Sequence, residues 1–152
     1  MKKKIIFFLL LVIYPITGQS ADFYTLDKKI TTYEEITAHS KTILLLWTTW
    51  CPGCRTEINR LSKECDTAKN REDIKILYIS EGEEESTVQR FFTKAKLNEC
   101  MKNKILLDPS AYLARKFSIP GVPTYIFIVD GQPTYKSHFI NDDLVNKIFP
   151  DE

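Results

Sequence analysis

The chain has 152 residues, a formal net charge of +1, a hydrophobic fraction of 43% and a charged fraction of 27%. That length suits one domain, and the composition is ordinary for a globular protein. The near-neutral balance, with no basic patch interleaved with aromatics, points away from nucleic acid as a partner.

The first twenty residues differ in kind from the rest. Met1-Lys2-Lys3-Lys4 is basic, residues 5–14 form an unbroken apolar and aromatic run, and Gly18-Gln19-Ser20 supplies small residues ahead of a cleavage point. This is the pattern of a secretory signal peptide over residues 1–20. The apolar run is shorter than the ~20 residues a membrane-spanning helix needs; the alternative is an uncleaved N-terminal anchor. Cleavage after Ser20 removes three lysines and no acid, which takes the net charge from +1 to −2 and leaves residues 21–152 as one domain. All four cysteines, Cys51, Cys54, Cys65 and Cys100, lie in that domain. An exported chain lives where disulfides persist. Four cysteines fit either two disulfides or one redox pair plus two buried thiols.

Residues 22–26 read as a short strand and residues 28–32 as a turn and a second one. Thr32, followed by Tyr33-Glu34-Glu35, predicts the N-cap of a short helix over 33–38. Residues 42–47 form a continuous apolar run too short for a helix, as a strand buried on both faces would. The chain then turns through Thr48 to Cys51, and Pro52 suits the first turn of a helix. Cys54, Ile58, Leu61, Cys65 and Ala68 make one apolar stripe along it. Arg55, Glu57, Arg60, Lys63 and Glu64 take the opposite face. Residues 74–79 predict another buried strand, residues 81–85 an acidic loop, and Ser86 the cap of a helix that turns Val88, Phe91, Phe92 and Ala95 inward. Residues 98–103 connect to a short strand at 104–107. Asp108-Pro109 predicts the start of a helix running to about residue 117. Residues 119–123 read as a rigid turn, 124–129 as a strand, Asp130-Gly131 as a hairpin turn and 133–139 as its partner strand. Asn141 caps a last helix that carries Leu144, Val145 and Ile148. Strands alternating with helices up to a terminal hairpin and helix predict an α/β fold with a mixed sheet.

The chemistry concentrates in Cys51-Pro52-Gly53-Cys54. A thiol is a nucleophile only as thiolate. Cys51, at a helix N-terminus, meets unpaired N–H groups and the positive end of the helix dipole, which favour that charge. Cys51 is therefore the attacking residue, and Cys54, one turn inside, resolves the mixed disulfide. Pro52 and Gly53 help set how many N–H donors reach the Cys51 sulfur. Structural zinc would need a second pair of ligands at matching spacing, and no such pair exists. A c-type haem site needs histidine directly after the second cysteine, where Arg55 stands. His39 and His138 are far apart in sequence. No metal and no cofactor is expected.

The stretch Leu44-Leu45-Leu46-Trp47-Thr48-Thr49-Trp50-Cys51-Pro52-Gly53-Cys54 resembles the strand-turn-helix active site of thioredoxin-fold proteins. Gly121-Val122-Pro123-Thr124 is similar to that fold's cis-proline loop, with Pro123 as the cis residue. The resemblance implies a docking surface for a substrate peptide built from Trp50, Pro52, Gly53, Val122 and Pro123. Within the fold, the chain resembles the exported TlpA/ResA/DsbE-like branch. The cues are the signal segment, an N-terminal strand pair, an extra helix between Ile79 and Lys104, and Pro123-Thr124-Tyr125-Ile126-Phe127-Ile128-Val129-Asp130-Gly131. Thioredoxins carry a buried aspartate on the strand before the motif as proton acceptor for the second cysteine; the matching position here is Leu45. The branch can use a glutamate from the loop that opens the inserted helix, which implies Glu83 as acceptor, with Glu81 next.

Cys65 follows Cys54 by eleven residues, so it lies about 16 Å farther down the helix. It is either a buried thiol or one half of a structural disulfide with Cys100. The expected architecture is a thioredoxin-like α/β fold, a central mixed β-sheet flanked by helices with an N-terminal strand extension and an inserted helix. The expected activity is a periplasmic, monomeric thiol–disulfide oxidoreductase. It would reduce cysteine-containing client proteins, apocytochrome c among the candidates, with electrons from a membrane thiol reductant. The alternatives are a disulfide oxidase or isomerase, a copper(I)-binding module with His138 as third ligand, and a redox-inert adaptor.

Overall fold

The computed structural model describes residues 22–65 and 71–150; the signal segment and Ala68 of the apolar stripe lie outside them. In chain order the elements are β1 (Asp22–Thr25), β2 (Ile30–Thr32), α1 (Tyr33–Ile36), β3 (Lys41–Trp47) and α2 (Pro52–Glu64). Then come β4 (Lys75–Glu81), α3 (Glu85–Ala95), a 3-10 helix at Glu99–Lys104, β5 (Ile105–Asp108) and α4 (Tyr112–Lys116). The chain closes with β6 (Thr124–Val129), β7 (Gln132–Ser137) and α5 (Asp142–Ile148).

Seven strands form one sheet in the order β2-β1-β5-β4-β3-β6-β7. β3 runs parallel to β4 and antiparallel to β6, and β4 runs parallel to β5. This is the mixed α/β sheet the sequence predicts, with β1 and β2 as the N-terminal extension and α3 as the inserted helix. Helices cover both faces, which explains why β3 shows no alternation. Ile43, Leu45 and Trp47 face α2 and α3, packed with Tyr78, Tyr125, Phe127, Ile58, Val88 and Phe92. Leu44 and Leu46 face α1 and α4 with Leu77, Ile79, Ile126, Ile128, Ile36 and Leu113. Burying a side chain of this size contributes ~1.5–3 kcal/mol, so β3, buried from Thr42 to Trp47, is a rigid mount for whatever follows it.

Helix ends follow local chemistry more closely than composition. Thr32 caps α1 as predicted, through a reciprocal capping box with Glu35, and the helix ends at Ile36, short of the predicted 33–38 span. α3 starts at Glu85, one residue before the predicted Ser86 cap position, and Glu84 at its N-cap makes no side-chain cap bond. α4 is shorter than the predicted 108–117 helix. The Asp108 carboxylate bonds forward to Leu113 N at 2.8 Å and to Ser110 Oγ at 3.1 Å, and Ala111 adopts φ +50°, which delays the helix to Tyr112. Residues 99–104 close as a 3-10 helix, because the Asn98 side chain accepts from Cys100 N at 3.2 Å.

Candidate active site

β3 ends at Trp47, and the chain leaves the sheet through Thr48, Thr49 and Trp50 before α2 begins. Cys51 is the N-cap of α2, with extended φ −79° and ψ 118°, and its Sγ accepts a hydrogen bond from Cys54 N at 3.2 Å. Pro52 occupies the first turn, where a missing N–H leaves no gap in the ladder. Cys51 is joined to Cys54 in a disulfide with Cα atoms 5.2 Å apart. Cys54 is fully buried, while Cys51 keeps 7% of its surface. The outer of the two sulfurs is thus also the one held at the helix N-terminus.

The Val122–Pro123 peptide bond is cis. The loop lies over the motif: Cys51 Sγ is 3.5 Å from the Val122 carbonyl oxygen. A disulfide sulfur has no proton to donate there, but a Cys51 thiol would have one. Gly53 packs on the same loop, since a methyl group on its Cα would meet Pro123 Cδ at 3.7 Å. Trp50, 71% exposed, projects from the turn beside them. The structure therefore brings Trp50, Cys51, Pro52, Gly53, Cys54, Val122 and Pro123 to one end of the sheet.

Glu83 reaches the same region from the turn after β4. It is buried, and its carboxylate accepts from Thr49 N at 2.9 Å, from Thr49 Oγ1 and from Ser80 Oγ at 2.8 Å. It is tied to the turn that carries the motif, through Thr49. Gly82, at φ +68°, bends the chain so that Glu83 can fold back this way. Glu81, the second glutamate the family resemblance brought forward, is placed differently. Strand alternation turns it to the opposite face of the sheet from Ser80, with Leu77 and Ile79, under α4. There neither carboxyl oxygen makes a well-formed hydrogen bond, although the Ala114 amide approaches the group. Burial, reinforced by the neighbouring Asp108 carboxylate, pushes its pKa up to about 8, and the opposing Ala114 amide and Arg115 do not offset it.

Leu45, in the position where thioredoxins carry their aspartate, is fully buried. Its cross-strand neighbour is Tyr125, whose hydroxyl donates to Glu57 on α2. Glu57 also forms a two-pronged pair with Arg60 at 2.7 and 3.0 Å. Burial alone would raise the Glu57 pKa, but the bonds from Arg60 and Tyr125 outweigh it and the net shift is downward. Sequence spacing placed Glu57 on the solvent face; its side chain is only 21% exposed, because three residues past Cys54 lies at the edge of the apolar stripe. Burial lifts the Tyr125 hydroxyl pKa well above its usual range, and the Glu57 carboxylate adds to the shift.

At the far end of α2, Cys65 is bonded to Cys100, with Cα atoms 6.1 Å apart. Ser62 Oγ beside it accepts from Asn98 N at 2.6 Å. From the sequence, His138 entered only as a candidate third ligand for copper(I). The structure places it behind the Pro123 loop, its Nδ1 2.9 Å from the Pro123 carbonyl oxygen. Nothing local in Ser137-His138-Phe139 signals that contact; it exists because β7 pairs with β6 directly after Pro123. Among the described residues no cluster of three or more His, Cys, Asp or Glu side chains forms a metal-binding group, and no helix is long and apolar enough to cross a membrane.

Residues 17–144 match the AhpC/TSA family model. No curated protein matches the sequence significantly. Among solved structures, StoA from Bacillus subtilis superposes with a TM-score of 0.64 at 19% identity, covering 84% of this chain and 94% of that one. An exposed lipoprotein thioredoxin from Streptococcus pneumoniae gives 0.65 at 21% identity over 84% and 96% of the two chains. A secreted Mycobacterium tuberculosis disulfide oxidoreductase, homologous to Escherichia coli DsbE, gives 0.61 at 21% identity over 84% and 93%. At these identities the likeness shows a shared fold.

Proposed function

The chain belongs to the AhpC/TSA family, and from that premise we propose that it is an exported protein thiol–disulfide oxidoreductase whose working pair is Cys51 and Cys54. The observation that carries this reading is the placement of a bonded Cys51–Cys54 pair at the N-terminus of α2, against the Val122–Pro123 loop.

In the reduced protein the Cys51 thiolate attacks one sulfur of a client disulfide. The client S–S bond breaks, its other sulfur leaves as thiolate, and a Cys51–client mixed disulfide forms. Cys54 loses its proton and attacks Cys51 Sγ. The Cys51–Cys54 bond forms, the Cys51–client bond breaks, and the client departs with two electrons. Glu83, linked to the motif turn through Thr49, supplies the base that takes the Cys54 proton. Trp50, Pro52, Gly53, Val122 and Pro123 form the surface on which the client peptide docks. A membrane thiol reductant returns the two electrons, and residues 1–20 direct the monomeric domain of residues 21–152 to the periplasm, where apocytochrome c is one client of the right chemistry.

Turnover in insulin reduction tests the reading. Wild-type protein is expected to reduce insulin catalytically, Cys51→Ser to lose all turnover, and Cys54→Ser to accumulate a mixed disulfide. A folded wild-type protein without turnover sinks it, and stoichiometric copper(I) uptake by that protein would favour a metal-binding module instead. The reduction potential of the pair fixes direction: about −270 mV marks a reductant and about −120 mV an oxidant.

A further inference from the structure

Three successive carbonyls of the cis-proline loop each face a different neighbour. Gly121 O accepts from Thr124 Oγ1 at 2.7 Å, Val122 O faces Cys51 Sγ at 3.5 Å, and Pro123 O lies 2.9 Å from His138 Nδ1. The same Nδ1 is 3.2 Å from Thr124 Oγ1. These contacts fix the proton. A carbonyl can only accept, so Nδ1 carries hydrogen toward Pro123. The Thr124 hydroxyl proton is directed at Gly121, so Thr124 also accepts from His138. One tautomer satisfies all three bonds.

We propose that His138 is a positioning residue that holds the Pro123 carbonyl and thereby sets the orientation of Val122, the backbone edge on which a client peptide pairs. This rests on the oxidoreductase reading above. The imidazole is delivered from a fixed point. Ser137 pairs with Tyr125 in the β6–β7 ladder, and Ser137 Oγ accepts from Phe139 N at 3.2 Å, closing the turn on the other side of the histidine. His138 acts through the loop and not on either sulfur. Without it, one side of the loop loses a tether while the Cys51–Val122 contact and the helix N-terminus stay in place. The expected effect falls on docking rather than on bond exchange.

Two measurements test this, the first without any turnover. Nitrogen NMR of the histidine rings is expected to show His138 as the Nδ1–H tautomer; the Nε2–H tautomer overturns the assignment. Amide resonances of Val122 and Thr124 are expected to move in His138→Ala and to return in His138→Asn, whose Nδ2 falls where the imidazole Nδ1 sits. With insulin as substrate, His138→Ala is expected to raise KM about three- to tenfold, the scale of one net hydrogen bond, with kcat within twofold, and His138→Asn to recover most of it. Equal losses in both variants, or a fall in kcat with KM unchanged, overturn the proposal. If wild-type protein fails to reduce insulin while the NMR pattern is as expected, the oxidoreductase reading has failed and the tether stands.

Discussion

Glu83 gathers three donors on one carboxylate: the Thr49 amide, the Thr49 hydroxyl and the Ser80 hydroxyl. Removing it strands those groups in a buried place, at about 1–3 kcal/mol for each donor left unsatisfied. Glu83→Ala is expected to lower stability by roughly 2–3 kcal/mol in urea unfolding, and Glu83→Gln by less, because its amide oxygen still accepts. An alanine variant as stable as wild type would show that solvent replaces the carboxylate. Glu81 makes the opposite case, a buried carboxyl with no well-formed hydrogen bond, for which the Ala114 amide does not offset the cost of burial. Its folded pKa is about 8, above the ~4.3 of a free glutamate, so the folded state holds its proton longer than the unfolded chain does. Its contribution to stability is complete below about pH 4 and is lost as pH rises toward about 8, at up to ~1.4 kcal/mol per pH unit. Glu81→Gln keeps the neutral form at every pH. Unfolding free energies at pH 5, 7 and 8.5 are expected to fall in wild type and to stay flatter in the variant; parallel curves would contradict the burial argument. Of the acidic loop, the placement of Glu83 beside the motif turn was legible from the family pattern, whereas the burial of Glu81 was not. That burial depends on which face of β4 residue 81 takes and on α4 arriving from thirty residues later.

α2 has a cysteine at each end: Cys51 is its N-cap and Cys65 its C-cap. The helix dipole favours thiolate at the first and disfavours it at the second. Disulfide exchange runs faster when the departing thiol has a low pKa, so the same helix makes one bond labile and the other resistant. With limiting reductant, followed by alkylation and peptide mass analysis, Cys51 and Cys54 are expected to be labelled before Cys65 and Cys100; equal labelling would refute the polarity argument. Exposure alone predicts the reverse order, since Cys54 is fully buried while Cys100 is partly exposed, so the labelling sets polarity against access. This element was readable because its apolar stripe runs at helical spacing and proline marks its start. α4 was less readable: Asp108 bonds to Leu113 instead of capping the next residues, a choice made by the burial of Asp108 in the sheet.

At the scale of the molecule, the sheet order puts β3 between β4 and β6, so the loops after β3, after β4 and before β6 meet at one end. Hydrophobic runs revealed the strands, and the cysteine pair with Val122-Pro123 revealed where they converge. Contacts between loops distant in sequence, such as His138 with Pro123 and Tyr125 with Glu57, leave no local pattern, since they follow from strand pairing alone. The same convergence clamps α2 twice. Near its start, the Glu83 carboxylate holds the turn that feeds it; near its end, the Cys65–Cys100 bond and the Asn98–Ser62 hydrogen bond hold the last turn. A helix anchored at both ends does not tilt when a bond at its tip opens. If Cys51 and Cys54 are the working pair, the oxidised and reduced forms are expected to share one outline, and the difference offered to a partner is a negative charge arriving at a fixed address.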